Sequence, residues 1–434
     1  MPSLSSFINS SQYSSESTTN KLLAGMDLGS AYAGITFNGA SGSAGNDPGG
    51  LFGWLIYSRR YKYTPQKGNT YDPYIVYTNP QDLVGDLNKL GGITYALVGT
   101  SGGGGTYSLF LNTGTVNNVV RLAPTSIGTD FLHAINYLAY GGTLVVAPDT
   151  TGFDLYQNIT TNKLDVIIGQ QGTTALAQWL INQKYSVGIF PSGADSAGVT
   201  GNGYTMADYA TLFGDSTLVS GTTVANRIFN VYGIKTVTNL DTTTLVSGSK
   251  LTYSIPAVGD VGGFFARSKN RNLLYLSVAG LNLSTILNGT ISNSIEWSNS
   301  IKTALRTNRV NFFVNPTALP QFLGADLTGA TANSTIVQED RIGVSKLKSA
   351  INNDLTTIGL KYLFQPNDAT TRSHVTSEIK TAISKYSQFI FTQNTQIICD
   401  STNNTDQSSV LVMTVVVQPI LSLDSFEVTV TVSQ

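Results

Sequence analysis

At 434 residues with a formal net charge of −1, the chain has no long-range field to draw it to nucleic acid or to an anionic membrane. Charged residues make up only 12%, about half the usual share, so surface polarity must come from Ser, Thr, Asn and Gly. Its one cysteine, Cys399, excludes an intrachain disulfide, and its length suggests more than one domain.

Residues 1–20 are rich in Ser, Thr and Asn. They read either as a frayed terminus or as an arm that orders on contact with a neighbour. The opening Met1-Pro2-Ser3-Leu4 lacks the basic and apolar regions of a secretory signal, so Asn-x-Ser/Thr sites such as Asn158 and Asn288 carry little weight. Residues 38–50 form a turn-rich loop. Tyr74–Tyr77 is a short strand candidate, and Gln81–Leu90 a short helix with Leu83, Val84, Leu87 and Leu90 on one side.

An α/β region is expected next. Thr94–Val98 reads as an apolar strand leading into the Gly-rich run 99–105. Asp130–Tyr140 reads as a helix, with Phe131, Leu132, Ile135, Leu138 and Ala139 at helical spacing; Gly141-Gly142 ends it before a buried strand, Thr143–Ala147. Leu164–Ile168, Thr173–Lys184 and Tyr185–Phe190 read as strand, helix and strand. Short apolar strands separated by helices favour parallel pairing.

Residues 191–222 suggest loops around a short helix near Ala207–Phe213. Val224–Val231 fits helix or strand. Residues 234–280 mix short strands with turns; Trp297–Thr307 suggests a helix and Val310–Val314 a strand. Two amphipathic helices follow. Gly343–Ile358 carries Val344, Leu347, Ile351, Leu355 and Ile358 on one side. Arg372–Ile390 carries Val375, Ile379, Ala382, Ile383, Tyr386 and Phe389. Between Arg341 and Lys385 the bases are Arg341, Lys346, Lys348, Lys361, Arg372, Lys380 and Lys385, against Asp354, Asp368 and Glu378 only. That bias is either a solvated face or a surface for an acidic partner. Phe426–Val432 alternates apolar and polar residues, as a strand with one buried face does. It either closes its own sheet or pairs with another subunit.

Catalytic patterns are thin. Gly99-Thr100-Ser101-Gly102-Gly103 matches the G-x-S-x-G nucleophile elbow after a strand, but an elbow needs a helix directly after the serine, and Gly103-Gly104-Gly105 starts a helix poorly. A triad needs a histidine after the serine with an acid oriented behind it, and the two histidines, His133 and His374, both fall in helix patterns. Gly-Lys never occurs, so no phosphate loop is present, and one cysteine with two distant histidines makes no zinc site. Trp179 and Trp297 read as core, and Cys399 as a small buried residue.

In order and spacing, the residues from about 130 onward resemble the contractile phage tail sheath family. Arg341 through Phe364, followed by Gln365-Pro366-Asn367-Asp368, resembles the family's helix and its Phe-x-Pro-Asn-Asp element. Ile397-Ile398-Cys399-Asp400 with Asn403-Asn404 resembles its strand, Cys-Asp and Thr-Asn turn; Val410–Pro419 and Phe426–Val432 are similar to its closing strands. Upstream, Gly233-Ile234-Lys235, then Pro256 through Arg267, and Ala279-Gly280-Leu281-Asn282 follow the family's pattern. So do the helix, Gly-Gly and strand from Tyr137 to Ala147. The family's W-G-A-R-T strand is replaced by Phe322-Leu323-Gly324-Ala325-Asp326.

The resemblance implies a mixed α/β (α+β) fold. A discontinuous core of N- and C-terminal parts would carry an inserted α/β middle domain, and terminal arms would donate strands to neighbours. On that plan residues 1–20 are an arm, 21–92 the N-terminal part of the core or of an outer domain, 93–232 the inserted α/β domain, 233–424 the C-terminal core and 425–434 the C-terminal strand. It implies a structural subunit, not an enzyme, that stacks as hexameric rings of identical copies around an inner tail tube between baseplate and tail terminator. No cofactor, metal, direct nucleic-acid contact or stable membrane insertion is implied, and the expected location is the virion tail. Phe426, Val428, Val430 and Val432 would form the inter-subunit strand. Lys346, Lys348, Lys361 and Lys380 would form a basic surface toward the tube. A surface-layer or adhesion protein is the alternative, and a serine hydrolase built on Ser101 a more distant one.

Overall fold

The computed structural model describes residues 21–27, 35–36, 74–83, 86, 95–99, 107–111, 119–120, 130–147, 150–160, 162–169, 174–183, 185–192, 225–238, 252–287, 289–296, 301–316, 319–329, 336–406 and 408–421. The chain divides into two compact units: Met1–Leu273 with Val278–Thr335, and Leu274–Ser277 with Ile336–Gln434.

In the first unit the described strands begin with β1 (Leu23–Asp27), β2 (Ile35–Thr36), β3 (Ile75–Tyr77), β4 (Tyr95–Gly99), β5 (Tyr107–Leu111) and β6 (Val119–Val120). Helices and strands then alternate: α1 (Asp130–Leu138), β7 (Thr143–Ala147), α2 (Thr150–Thr160), β8 (Val166–Ile168), α3 (Thr174–Asn182), β9 (Val187–Pro191) and β10 (Ile228–Tyr232). β11 (Ile234–Thr238), β12 (Thr252–Pro256), α4 (Val258–Asn270), β13 (Thr290–Ile291), α5 (Ile301–Thr307), β14 (Val310–Val314) and β15 (Phe322–Leu323) complete it.

An eight-stranded sheet runs β15-β14-β10-β9-β8-β1-β7-β3. Its inner strands, β14 to β7, pair in parallel; β15 and β3 close the edges antiparallel. Parallel strands covered on both faces should be continuously apolar rather than alternating. Thr143-Leu-Val-Val-Ala147 and Val166-Ile-Ile168 fit that, and every residue of β7, β8, β9, β10 and β14 is buried. Successive residues of β8 serve opposite faces. Ile167 packs with Phe153, Trp179 and Leu180 of α2 and α3, whereas Ile168 meets Gly262 of α4.

Glycines set how near α1 and α4 can come. A Cβ on Gly259 would lie 2.3 Å from the carbonyl oxygen of His133, and one on Gly263 would lie 2.1 Å from the Tyr140 ring. Tyr137 Oη donates to Leu22 O at 2.7 Å, tying α1 to the start of β1. Asp165 Oδ2 accepts from Leu23 N at 3.0 Å and from Lys269 Nζ at 2.9 Å, which joins β1 to the end of α4.

The structure differs from the sequence expectation at several places. The strand near 95 is not part of the parallel sheet. It sits in a four-stranded sheet, β2-β5-β4-β6, and pairs antiparallel with β5. The element described next after Gly99 is therefore a strand, where an elbow requires a helix. The eight-stranded sheet also crosses the boundaries expected at 92 and 232, because backbone pairing joins β1 to β7 and β10 to β14. β1 and α2 have no counterpart in the sequence reading, and α4 stands where short strands and turns were expected. The segment at 224–231 resolves into a 3-10 turn, Ala225–Arg227, followed by β10. The helix expected at Trp297–Thr307 is described only at Ile301–Thr307.

His133 lies wholly inside this unit, and burial, with the Lys235 charge adding to it, lowers its pKa to about 4. The folded pKa is thus below the unfolded value of about 6.5, so the unfolded chain binds more protons between the two. Stability from this group is intact above about pH 6.5 and is lost as pH falls toward about 4. We expect a loss on the order of 3 kcal/mol across that window. Chemical denaturation at pH 7 and pH 4.5 should show it, and His133→Leu should flatten this part of the pH dependence.

Candidate functional site

The second unit is built on α6 (Ile342–Lys361) and α7 (Ala369–Ser384), followed by β16 (Gln396–Ile398) and β17 (Thr414–Val416). The expected stripes meet here. Leu347, Ile351 and Ile358 of α6 pack with Val375, Ile379, Ala382 and Ile383 of α7, and with Tyr386, Phe389 and Cys399 beyond it. Leu355 joins at the margin, and Tyr275 stacks edge-on against Tyr386 and Phe389 at 5.5 and 5.0 Å between ring centroids. Exposed ion pairs, Lys361–Glu378 at 2.7 Å and Lys385–Asp354 at 3.0 Å, fix the antiparallel register of the two helices. Such pairs add little stability each.

α7 starts earlier and stops earlier than its sequence suggested. Asp368 accepts from Thr371 N at 2.8 Å and caps the helix, and that bond holds the Asp368 carboxyl below its ordinary pKa. The helix ends at Ser384, and Tyr386 and Phe389 reach the core from the turns that follow. The Pro-Asn-Asp element is therefore a helix-capping loop. Arg372, its side chain only 6% exposed, donates to Asn367 O at 2.9 Å and to Asn367 Oδ1 at 3.1 Å, and pairs with Asp406.

The Asp400…Asn404 turn has an equally local purpose. The buried Asn404 accepts from Val412 N through Oδ1 at 2.7 Å and donates from Nδ2 to Val412 O at 3.0 Å. One side-chain amide thus satisfies both backbone groups of Val412, as a neighbouring strand would. That guides the chain into β17, which pairs antiparallel with β16. Among the described residues this sheet has two strands, and a two-stranded sheet is marginal unless packed or extended. Val415 reaches the helix core, while Thr414 and Val416 face outward.

An apolar exposed patch lies where the loop joins the two helices. A groove of about 420 Å³ is lined by Leu360, Leu363, Phe364, Pro366, Val410 and Met413, among others. Phe364 is fully exposed and holds φ at 65°, a left-handed conformation that is rare for a bulky residue.

The expected site residues divide. Lys348, Lys361 and Lys380 are exposed. Lys346 is only 5% exposed, so burial removes it from a basic outer surface, and that expectation is corrected. Phe426, Val428, Val430 and Val432 lie outside the described residues, as does Ser101. His374 is exposed in the second turn of α7, because the helix starts three residues earlier than expected, while His133 is sealed within the first unit. Trp179 and Cys399 are buried, as expected, and Trp179 Nε1 donates to Asp154 Oδ1 at 2.7 Å. Among the described residues no group of three or more His, Cys, Asp and Glu could hold a metal, and no helix is long and apolar enough to cross a membrane.

Sequence reasoning missed one buried cluster in the first unit. Lys235 Nζ lies 2.8 Å from Asp260 Oδ1, with both side chains sealed from solvent. Tyr140 Oη donates to the same oxygen at 2.9 Å, and the Arg267 guanidinium sits 4.7 Å from the Tyr140 ring centroid. The only signal for it was a lysine and an aspartate set among apolar and glycine neighbours in a chain with few charges.

No protein-family model matches the chain. It is 28% identical over 174 residues to the tail sheath protein of Enterobacteria phage T4; the match covers 39% of this chain. It spans 26% of that relative, about a quarter of its length. The fold is similar to the helical sheath of the anti-feeding prophage in its contracted state, with TM-score 0.56 and 12% identity over 96% of this chain and 94% of that one. It is also similar to the contracted sheath complex of an extracellular contractile injection system, PVC, with TM-score 0.56 and 11% identity over 98% and 95%. A chain of the anti-feeding prophage baseplate matches with TM-score 0.53 and 13% identity over 72% of this chain and 84% of that one. The resemblance to the contractile sheath family read from the sequence is borne out, and these relatives are named for structural assemblies rather than for enzymes.

Arg372 gives a direct test of the capping loop. Arg372→Ala removes the donors that hold Asn367 and Asp406, and we expect it to cost about 1–3 kcal/mol of stability. Chemical denaturation measures the loss, and limited proteolysis should show faster cleavage between residues 362 and 368.

Proposed function

We propose, for a chain matched in sequence and fold to contractile sheath proteins, that it is a sheath subunit. Copies stack as hexameric rings around an inner tail tube, between a baseplate and a terminator. The sheath assembles in an extended, metastable state and contracts to one with more buried contact, driving the tube through a cell envelope. The work comes from that difference in buried surface, so the cycle needs no nucleotide or cofactor. The location that follows is the virion tail.

The observation that carries this reading is a fold likeness extending over 98% of the chain to a sheath in its contracted state. Mixing of early and late strands in one sheet supports a core assembled from both ends of the chain, since β1 and β3 share it with β14 and β15. The separate four-stranded sheet β2-β5-β4-β6 is then the candidate for the outward insertion; β4, β5 and β6 fall at the start of the 93–232 segment the sequence suggested, and β2 upstream of it.

Assembly proceeds through added strands. The two-stranded β16–β17 sheet is the receiving element, and Phe426, Val428, Val430 and Val432 form the donated strand. A backbone-paired strand on a flexible connection keeps neighbours linked while rigid units rotate. Lys348, Lys361 and Lys380 form the basic surface toward the tube.

Deleting Ser425–Gln434 should leave a folded monomer by circular dichroism that forms no tubes or rings in negative-stain microscopy. Ordered tubes from the truncated chain would remove this segment from assembly. Charge reversal at Lys348, Lys361 and Lys380 should weaken co-sedimentation with the tube roughly tenfold and make it less sensitive to salt. Unchanged co-assembly would count against a basic tube-facing surface.

A further inference from the structure

Lys235 on β11 and Asp260 in the first turn of α4 lie in a site from which solvent is absent. Their hydrogen bonding is uneven. Tyr140 Oη donates to Asp260 Oδ1, Lys235 Nζ donates to Leu287 O at 2.6 Å, and Leu287 N donates back to Tyr140 Oη at 3.0 Å. Asp260 Oδ2, equally buried, has no partner. For an ion pair this is an expensive arrangement, because a buried carboxylate oxygen goes unmet.

An amide joining the same two side chains has different needs. It has one carbonyl oxygen that accepts and one N–H that donates. Tyr140 Oη meets the first need at Oδ1, and the Leu287 carbonyl meets the second at Nζ. The oxygen left over is the one that condensation removes.

We propose that Lys235 and Asp260 join in an intramolecular isopeptide bond. A proton passes from the ammonium to the carboxylate, and the neutral Nζ adds to Asp260 Cγ. Oδ2 then leaves as water, carrying the two protons the nitrogen gives up. The Nζ–Cγ bond forms and the Cγ–Oδ2 bond breaks; nothing is oxidised or reduced, and no co-reactant is needed.

The surroundings favour each part of this step. Burial pulls the Lys235 ammonium below its ordinary pKa, which releases the nucleophilic amine. Burial also holds the Tyr140 phenol well above its ordinary value, so it keeps its proton and can donate to the oxyanion developing on Oδ1. Val258, Val261 and Phe264 are fully buried on the same helix, which keeps out the water that would reverse the bond. His133, the other titratable group near Lys235, is held neutral and adds no charge. The bond would staple β11 to α4 and close the chain between residues 235 and 260. It stands independently of the sheath reading.

Intact-mass spectrometry of the purified full-length chain under denaturing conditions, followed by peptide mapping, tests this. The expected mass is one water below the sequence mass, with a branched peptide joining the segments that contain Lys235 and Asp260. A full sequence mass, with trypsin cleaving after Lys235, would overturn it. So would a water loss mapped to any other pair or to a cyclised Asn or Asp.

Discussion

Leu23–Asp27 hydrogen-bonds on one side to Thr143–Ala147 and on the other to Val166–Ile168. An early strand held between two much later ones means the central sheet cannot close from local contacts. Loop-closure entropy must be met before any of that pairing is rewarded. The accessory bonds fall at the start of β1. Tyr137 holds the Leu22 carbonyl, and Asp165 holds the Leu23 amide while pairing with Lys269. The same strand keeps the early part of the chain in one sheet with residues 310–323.

Close approach of α1 and α4 is the second condition. It rests on glycines with no room for a side chain and on aromatic rings that fill the remaining space. Tyr140 meets Phe264 edge-on, and Phe264 in turn meets Phe313. Helix packing this tight would normally exclude charge. Lys235, Asp260 and Arg267 each reach a specific partner there, a carbonyl, a phenol or a ring face, and only Asp260 Oδ2 among these contacts goes unmet.

The second unit was the more legible part. Its helices carry clean three- and four-residue apolar spacing, and every apolar residue expected on the second stripe enters the core. The ends were harder to read, because a cap and a turn decide them. Asp368 starts α7 earlier than its apolar pattern does, and Tyr386 and Phe389 keep helical spacing after the helix has stopped. In the first unit, β7 was clear from a continuous apolar run and β14 from one broken only by Asn311. α4 was hidden because glycine argues against a helix by propensity, while here glycine is what lets the helix pack. Strand order was not legible, since it depends on contacts far apart in sequence. Lys346 shows the limit of reading charge alone: its position on a basic helix suggested exposure, and the fold buries it.

If the chain is a sheath subunit as proposed, its function comes from surfaces rather than from a reactive centre. The second unit offers a two-stranded sheet, an apolar groove beside an exposed Phe364 and the exposed Lys348, Lys361 and Lys380. On the proposed sheath reading, each would serve contacts between copies or with the inner tube. Helical reconstruction of the assembled protein by electron cryomicroscopy tests this most directly. The account predicts a hollow tube in which Phe426–Val432 of one copy lies along the β16–β17 sheet of the next. A protein that forms no tube, or a segment that folds back onto its own sheet, would contradict it.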